Sequence, residues 1–179
     1  MVLLLLGFDE AALSQFTIMC RRWPDDGHAL ASRAQLLMRM GSVDGALQDS
    51  VRLVAMRPDD AVAWFNQGYM LEVAERWDEA LAAFQRATEL GPTLDRAWYG
   101  LGLVLIRLRR FDEAVQALKR NTELQPLSPY GWYQLARVQV ERKDPEAAEK
   151  IIRHLWGFEP RVAAQLVRET GLHVGRPAG

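Results

Sequence analysis

Three histidines, one cysteine and 23 carboxylates are the groups of this 179-residue chain that could ligate a metal or move a proton. His28, His154 and His173 lie far apart, and none has ligand spacing with a cysteine, aspartate or glutamate. No glycine-rich phosphate loop and no nucleophile motif occurs. Cys20 is the lone cysteine, so no intramolecular disulfide can form, and its helical surroundings predict a packed thiol. The acidic pairs Asp78–Glu79 and Asp112–Glu113 fall where helices should start, which reads as dipole compensation. Arg21–Arg22 and Arg109–Arg110 fall at or past helix ends, where the same logic favours cations. No catalytic centre, metal or cofactor is expected.

Bulk properties narrow the partners. The net charge is −1, so no global field favours nucleic acid or anionic lipid. Only Lys119, Lys143 and Lys150 are lysine, and arginine suits bidentate carboxylate recognition and stacking better. The opening run MVLLLLGFDEAA has no basic leader and no small-residue cleavage site, and it is too short to span a bilayer. Neither nucleic-acid binding nor membrane insertion is expected. A cytoplasmic location is, and the lone cysteine fits a reducing compartment.

The elements that must position any functional group come from a repeat. Pro24, Pro58, Pro92, Pro126 and Pro160 stand 34 residues apart. Ala12, Ala46, Ala80, Ala114 and Ala148 keep the same step, as do Trp64, Trp98 and Trp132. A fixed period of this length marks a stacked repeat. Full units begin at Gly27, Ala61, Asp95 and Pro129, and each holds two runs of apolar residues at helical spacing. In the third unit Trp98, Leu101, Leu105 and Leu108 line the first run; Ala114, Leu118 and Leu124 line the second. Each unit is therefore an antiparallel pair, helix A and helix B. Pro-Asp-Asp at 24–26 and 58–60, Ser128-Pro129 and Asp144-Pro145 supply stops and caps. Ala34, Gly68, Gly102 and Ala136 recur in phase inside helix A. That recurrence predicts a close crossing of helix B, with the in-phase alanines as the reciprocal contact.

Trp98, Leu101, Gly102, Leu105, Ala114, Leu118 and Pro126 resemble the tetratricopeptide pattern W-x2-L-G-x2-Y, A-x3-F, P. Trp64, Gly68, Leu71, Ala80, Phe84, Ala87 and Pro92 match it in the second unit, and Trp132, Leu135, Ala136, Ala148, Ile152 and Pro160 in the fourth. The first unit is degenerate, with Ser50 where a large apolar residue is usual. The resemblance implies an all-α fold, a right-handed superhelix of antiparallel helix pairs. Units then cover 27–60, 61–94, 95–128 and 129–160. Residues 1–26 read as a partial repeat, a helix B after the stump of a helix A, so the chain opens part-way through a unit. Residues 161–172 read as a capping helix with Gly171 at its C-cap, and 173–179 as a disordered tail.

The same resemblance implies a concave groove lined by helix A, where a peptide or protein segment binds. Its inward positions give Gln35 in the first unit and Phe65, Tyr69 and Glu72 in the second. The third gives Arg96, Tyr99, Leu103 and Arg107, and the fourth Tyr130, Tyr133 and Arg137. All four tyrosines of the chain fall in this set, and tyrosine and arginine dominate binding hot spots. Repeats of the carboxylate-clamp type hold an acidic C-terminus. Gln35, Asn66 and Arg96 stand near the expected places, whereas Ala31 and Gly100 occupy positions that need basic residues. A full clamp is not expected; an Asn66/Arg96 anchor for an acidic group is. The expected function is a protein-binding adaptor. The alternative is a self-associating assembly component, with an apolar edge at Leu3–Leu6, Phe8 and Phe16 as the contact between copies.

Overall fold

The computed structural model describes residues 2–175, with side chains from residue 8 onward. Among them every regular element is an α-helix. The chain divides into two compact units, Met1–Gly91 and Pro92–Gly179. The first holds α1 (Val2–Arg22), α2 (Gly27–Arg39), α3 (Val43–Met56), α4 (Ala61–Val73) and α5 (Trp77–Leu90), each packed on the next. The second holds α6 (Asp95–Arg107), α7 (Phe111–Leu124), α8 (Pro129–Glu141), α9 (Pro145–Trp156) and α10 (Pro160–Thr170). Here too neighbours pack in order, and α8 also meets α6 and α10.

Helix starts follow from local chemistry. The Asp26 carboxylate accepts the N–H groups of His28 and Ala29 at 2.9 and 3.1 Å. Asp60 does the same for Val62 and Ala63 at 2.9 and 3.1 Å. Asp144 accepts from Ala147 at 3.0 Å, and Pro145 opens α9 behind it. Ser128 stands at the N-cap of α8, but its hydroxyl makes no cap bond, so Pro129 sets that start. The acidic pairs of α5 and α7 do more than offset a dipole. Arg76 grips Glu79 at 2.7 and 2.5 Å, and Arg110 grips Glu113 at 2.7 and 2.6 Å. These hydrogen bonds hold both glutamates below the ordinary carboxylate range.

The shared phase of tryptophan and proline has a cause. The indole N–H groups of Trp64, Trp98 and Trp132 donate to the carbonyls of Pro58, Pro92 and Pro126 at 2.9, 3.0 and 2.9 Å. Each bond ties a helix A to the loop that delivers it. The turns between A and B helices share another period: Gly41, Glu75, Arg109 and Lys143 all have positive φ, at 80°, 58°, 59° and 61°.

The small positions of helix A are places of close approach. A Cβ on Gly68 would lie 2.8 Å from the Phe84 ring, and one on Gly102 would lie 2.7 Å from Leu118. The nearest facing side chains are thus Phe84 and Leu118, not the in-phase Ala80 and Ala114, which are fully buried. Phe84 is 1% exposed and cannot retreat. Gly68→Ala gains about 1 kcal/mol of helix propensity against overpacking of about 1–3 kcal/mol. The expected result is a net loss in urea denaturation that Phe84→Leu on the same chain relieves.

In the first helix pair the crossing is polar. Arg33 binds Asp49 through Nε–Oδ2 at 2.7 Å and Nη2–Oδ1 at 2.6 Å, and Asp49 is 3% exposed. Ser50 is buried beside it and donates to the Leu47 carbonyl at 2.9 Å. Cys20 packs with Ala29, Leu30 and Met19, and burial pushes its thiol pKa up.

Three expectations at the chain ends need correction. A helix-A stump and a separate helix B were expected before Pro24, but α1 runs unbroken from Val2 to Arg22. No proline interrupts the helix at Gly7. Side chains of Leu3–Leu6 lie outside the described residues. The capping helix was expected over 161–172 with Pro160 closing the fourth unit; α9 ends at Trp156, and Pro160 is the first residue of α10, which ends at Thr170. The chain also stays packed past His173, because Val174 is buried. Gly171 does cap α10, with φ 69° and its N–H on the Val167 carbonyl at 3.0 Å. Residues 176–179 lie outside the described residues.

Candidate functional site

Helix α4 is apolar on two faces. Ala63, Met70 and Leu71 face the core, while Val62, Tyr69 and Val73 are 46%, 52% and 46% exposed. Phe65 stands between the exposed three and rests on Phe84, ring centroids 6.0 Å apart. A helix with one buried side needs one apolar stripe. Tyr69 and Val73 of the second stripe, with Phe65, line a cleft of about 510 Å³ between α2 and α4. Gln35, Met38 and Arg39 form its α2 wall; Phe65, Asn66, Tyr69, Met70 and Val73 form its α4 wall. Arg39 is paired with Asp9 of α1. Among the described residues the amides of Gln35 and Asn66 have no hydrogen-bond partner. Each offers donors and an acceptor above an apolar floor, which is the complement of a peptide backbone carrying apolar side chains.

In the second unit Arg96, Tyr99, Leu103 and Arg107 stand along α6, with Arg96 and Arg107 exposed and Tyr99 and Leu103 half-buried. On α8, Tyr130 is 70% exposed. The Arg137 guanidinium lies 5.6 Å from the Tyr133 ring centre. The Tyr133 hydroxyl donates to Glu169 Oε2 at 2.6 Å, and Gln165 Nε2 donates to Glu169 Oε1 at 2.7 Å. Tyr133 and Gln165 also line a cleft of about 440 Å³ between α8 and α10, with Pro129, Tyr130, Glu159 and Val162.

Of the twelve expected groove residues, Gln35, Phe65, Asn66 and Tyr69 meet in the first cleft and Tyr130 and Tyr133 in the second. Glu72, Arg96, Tyr99, Leu103, Arg107 and Arg137 line neither of these two. The Tyr133 hydroxyl is committed to α10, so it is not a free binding group. Sequence reasoning missed Glu159, Val162 and Gln165, because α10 reads as a cap alone. It also missed a cleft of about 520 Å³ on the B-helix side, between α3, α4 and α5, over Leu47, Val51, Trp64 and Leu71. Size does not separate this cleft from the first. Charge chemistry does: its Arg76 and Glu79 bind each other and its Arg86 pairs with Asp59 and Glu89, while Gln67 offers a single amide without a hydrogen-bond partner among the described residues, against the two amides of the first cleft.

The Tyr133–Glu169 bond gives a pH dependence. Its hydrogen bond, then that of Gln165, lowers the Glu169 pKa; the same bond, then burial, raises that of Tyr133. A carboxylate lowered on folding stabilises the fold above its unfolded pKa, and the contribution is lost as pH falls through the lowered value. Protection factors of the α10 amides, corrected for the intrinsic exchange rate, should therefore fall below the ordinary carboxylate range, and Glu169→Gln should flatten that fall.

No group of three histidine, cysteine, aspartate or glutamate side chains could hold a metal among the described residues. His154 packs its ring 4.4 Å from Trp132 and 5.3 Å from Phe158. No helix of the described residues is long and apolar enough to cross a membrane.

Two tetratricopeptide repeat models match the chain, over residues 32–95 and 74–132. No curated protein matches it in sequence. Among solved structures it is similar to MamA, 19% identical over 92% of both chains with a TM-score of 0.79. MamA from Desulfovibrio magneticus RS-1 is 21% identical over 93% of this chain and 89% of that one, TM-score 0.77. TTC0263, a thermophilic TPR protein of Thermus thermophilus, is 21% identical over 95% and 94%, TM-score 0.67. At these identities the likeness is one of fold: an all-α tetratricopeptide solenoid.

Proposed function

Since this chain belongs to the tetratricopeptide repeat family, we propose that it is a binding scaffold whose α2–α4 cleft takes an extended segment of a partner protein. One observation carries the reading: the unpartnered amides of Gln35 and Asn66 stand over the floor of Phe65 and Tyr69. The amides would take the segment's backbone, and Phe65, Tyr69 and Val73 its apolar side chains. Arg96 and Arg107 on α6 would favour acidic groups of a partner. Catalysis has no place in this reading, since the features point to recognition. Titration calorimetry with a peptide selected from a random library tests it. Asn66→Ala and Tyr69→Ala should each weaken binding by about tenfold or more. Unchanged affinity in both variants contradicts it.

A second reading is self-association through α1. Phe8 and Ile18 are 69% and 52% exposed on that helix, and an apolar face of this kind seeks cover. Sedimentation across concentration should then show a dimer that Phe8→Glu with Ile18→Glu dissolves. A monomer at every concentration contradicts it.

A further inference from the structure

The α8–α10 cleft combines two kinds of group that favour a cation. Tyr130, Tyr133 and Glu159 all line it. Aromatic faces attract an ammonium or guanidinium, and more so where water is partly excluded. Glu159 is the N-cap residue of α10, yet its side chain makes no cap bond, and no partner holds it among the described residues. Glu169, the other nearby carboxylate, is already occupied. It accepts from Tyr133 and Gln165, and Arg137 and Arg168 lie close enough to lower its pKa. One face of Tyr133 is likewise taken by Arg137. What the cleft offers a newcomer is thus a carboxylate with no side-chain partner among the described residues, in the same cleft as the exposed ring of Tyr130.

We propose that this cleft is a subsite for a basic side chain, lysine or arginine, of a bound protein segment. The aliphatic stem of such a residue would lie on Pro129 and Val162, and its charged head would reach Glu159. Only the idea that a partner's chain lies on A helices is shared with the proposed function; the groups and the cleft are different.

The test uses the full chain and small probes, so it does not depend on a partner being found. N-acetyl-arginine amide and N-acetyl-lysine amide are titrated while NMR signals of Tyr130, Tyr133 and Val162 are followed. N-acetyl-norleucine amide is the uncharged control. Saturable shifts are expected for the basic probes, about tenfold tighter than for norleucine. Glu159→Gln should remove that advantage and leave the circular dichroism spectrum unchanged. Equal binding of norleucine and arginine overturns the proposal, as does full arginine affinity in Glu159→Gln. No shift with any probe also overturns it. A separate arm protects the parent reading: peptide binding lost on Asn66→Ala stands or falls whatever the probes do here.

Discussion

Replacing Asp49 with alanine should cost about 3–5 kcal/mol, among the largest effects of any single change at this fold's helix crossings. The carboxylate is 3% exposed and takes two hydrogen bonds from Arg33. Its removal leaves the partly buried Arg33 guanidinium without its carboxylate partner. Domains of this size are stable by about 5–15 kcal/mol, so the loss is a large share of the total. Repeat arrays need not unfold in one step. Hydrogen exchange is therefore the right measurement, and α2 and α3 should lose protection first. Salt should change the effect little, because a buried pair is poorly screened. The sharper part of the prediction is the rescue. Arg33→Met with Asp49→Leu should fold about as well as the parent or better, since apolar packing replaces a desolvated pair. A loss under about 1 kcal/mol for Asp49→Ala contradicts the account of this crossing.

The second large effect joins core to site. Phe84→Ala should cost about 3–5 kcal/mol, the usual range for emptying a buried aromatic position. Its ring fills the space opposite Gly68 and supports Phe65 at 6.0 Å between centroids. Phe65 is part of the α2–α4 floor. The variant should therefore lose peptide affinity even at temperatures where it remains folded. Phe84→Leu should restore most of both properties, because it refills the volume. A variant that is destabilised but binds normally would show that Phe65 holds its place without Phe84.

The 34-residue spacing of proline, alanine and tryptophan made the helix pairs legible, because each of these types serves one recurring job. The Asp-capped starts at Asp26 and Asp60 were legible for the same reason. The partner of Gly68 and Gly102 was not. Alanine in phase suggests a contact, but the large side chain that fills a glycine gap lies one turn further, at Phe84 and Leu118. The left-handed turn residues were hidden too, since only Gly41 among the four is a glycine and Glu75, Arg109 and Lys143 give no local signal. Arg33 and Asp49 are 16 residues apart on different helices, so their bond is a tertiary fact. At the site, the family resemblance named Phe65, Asn66 and Tyr69, which line one cleft of α4. The engagement of Tyr133 by Glu169 could not be read from it, because α10 departs from the repeat's phase at Pro160.

The central claim is that the A-helix cleft, and not the B-helix cleft of similar size, receives the partner segment. Photo-cross-linking with a library-selected peptide tests it directly. A benzoylphenylalanine replaces Tyr69 in one variant and Val51 in another, and the cross-linked product is quantified by mass spectrometry. The account predicts an adduct from position 69 and none above background from position 51. An adduct from position 51 with none from position 69 would contradict it.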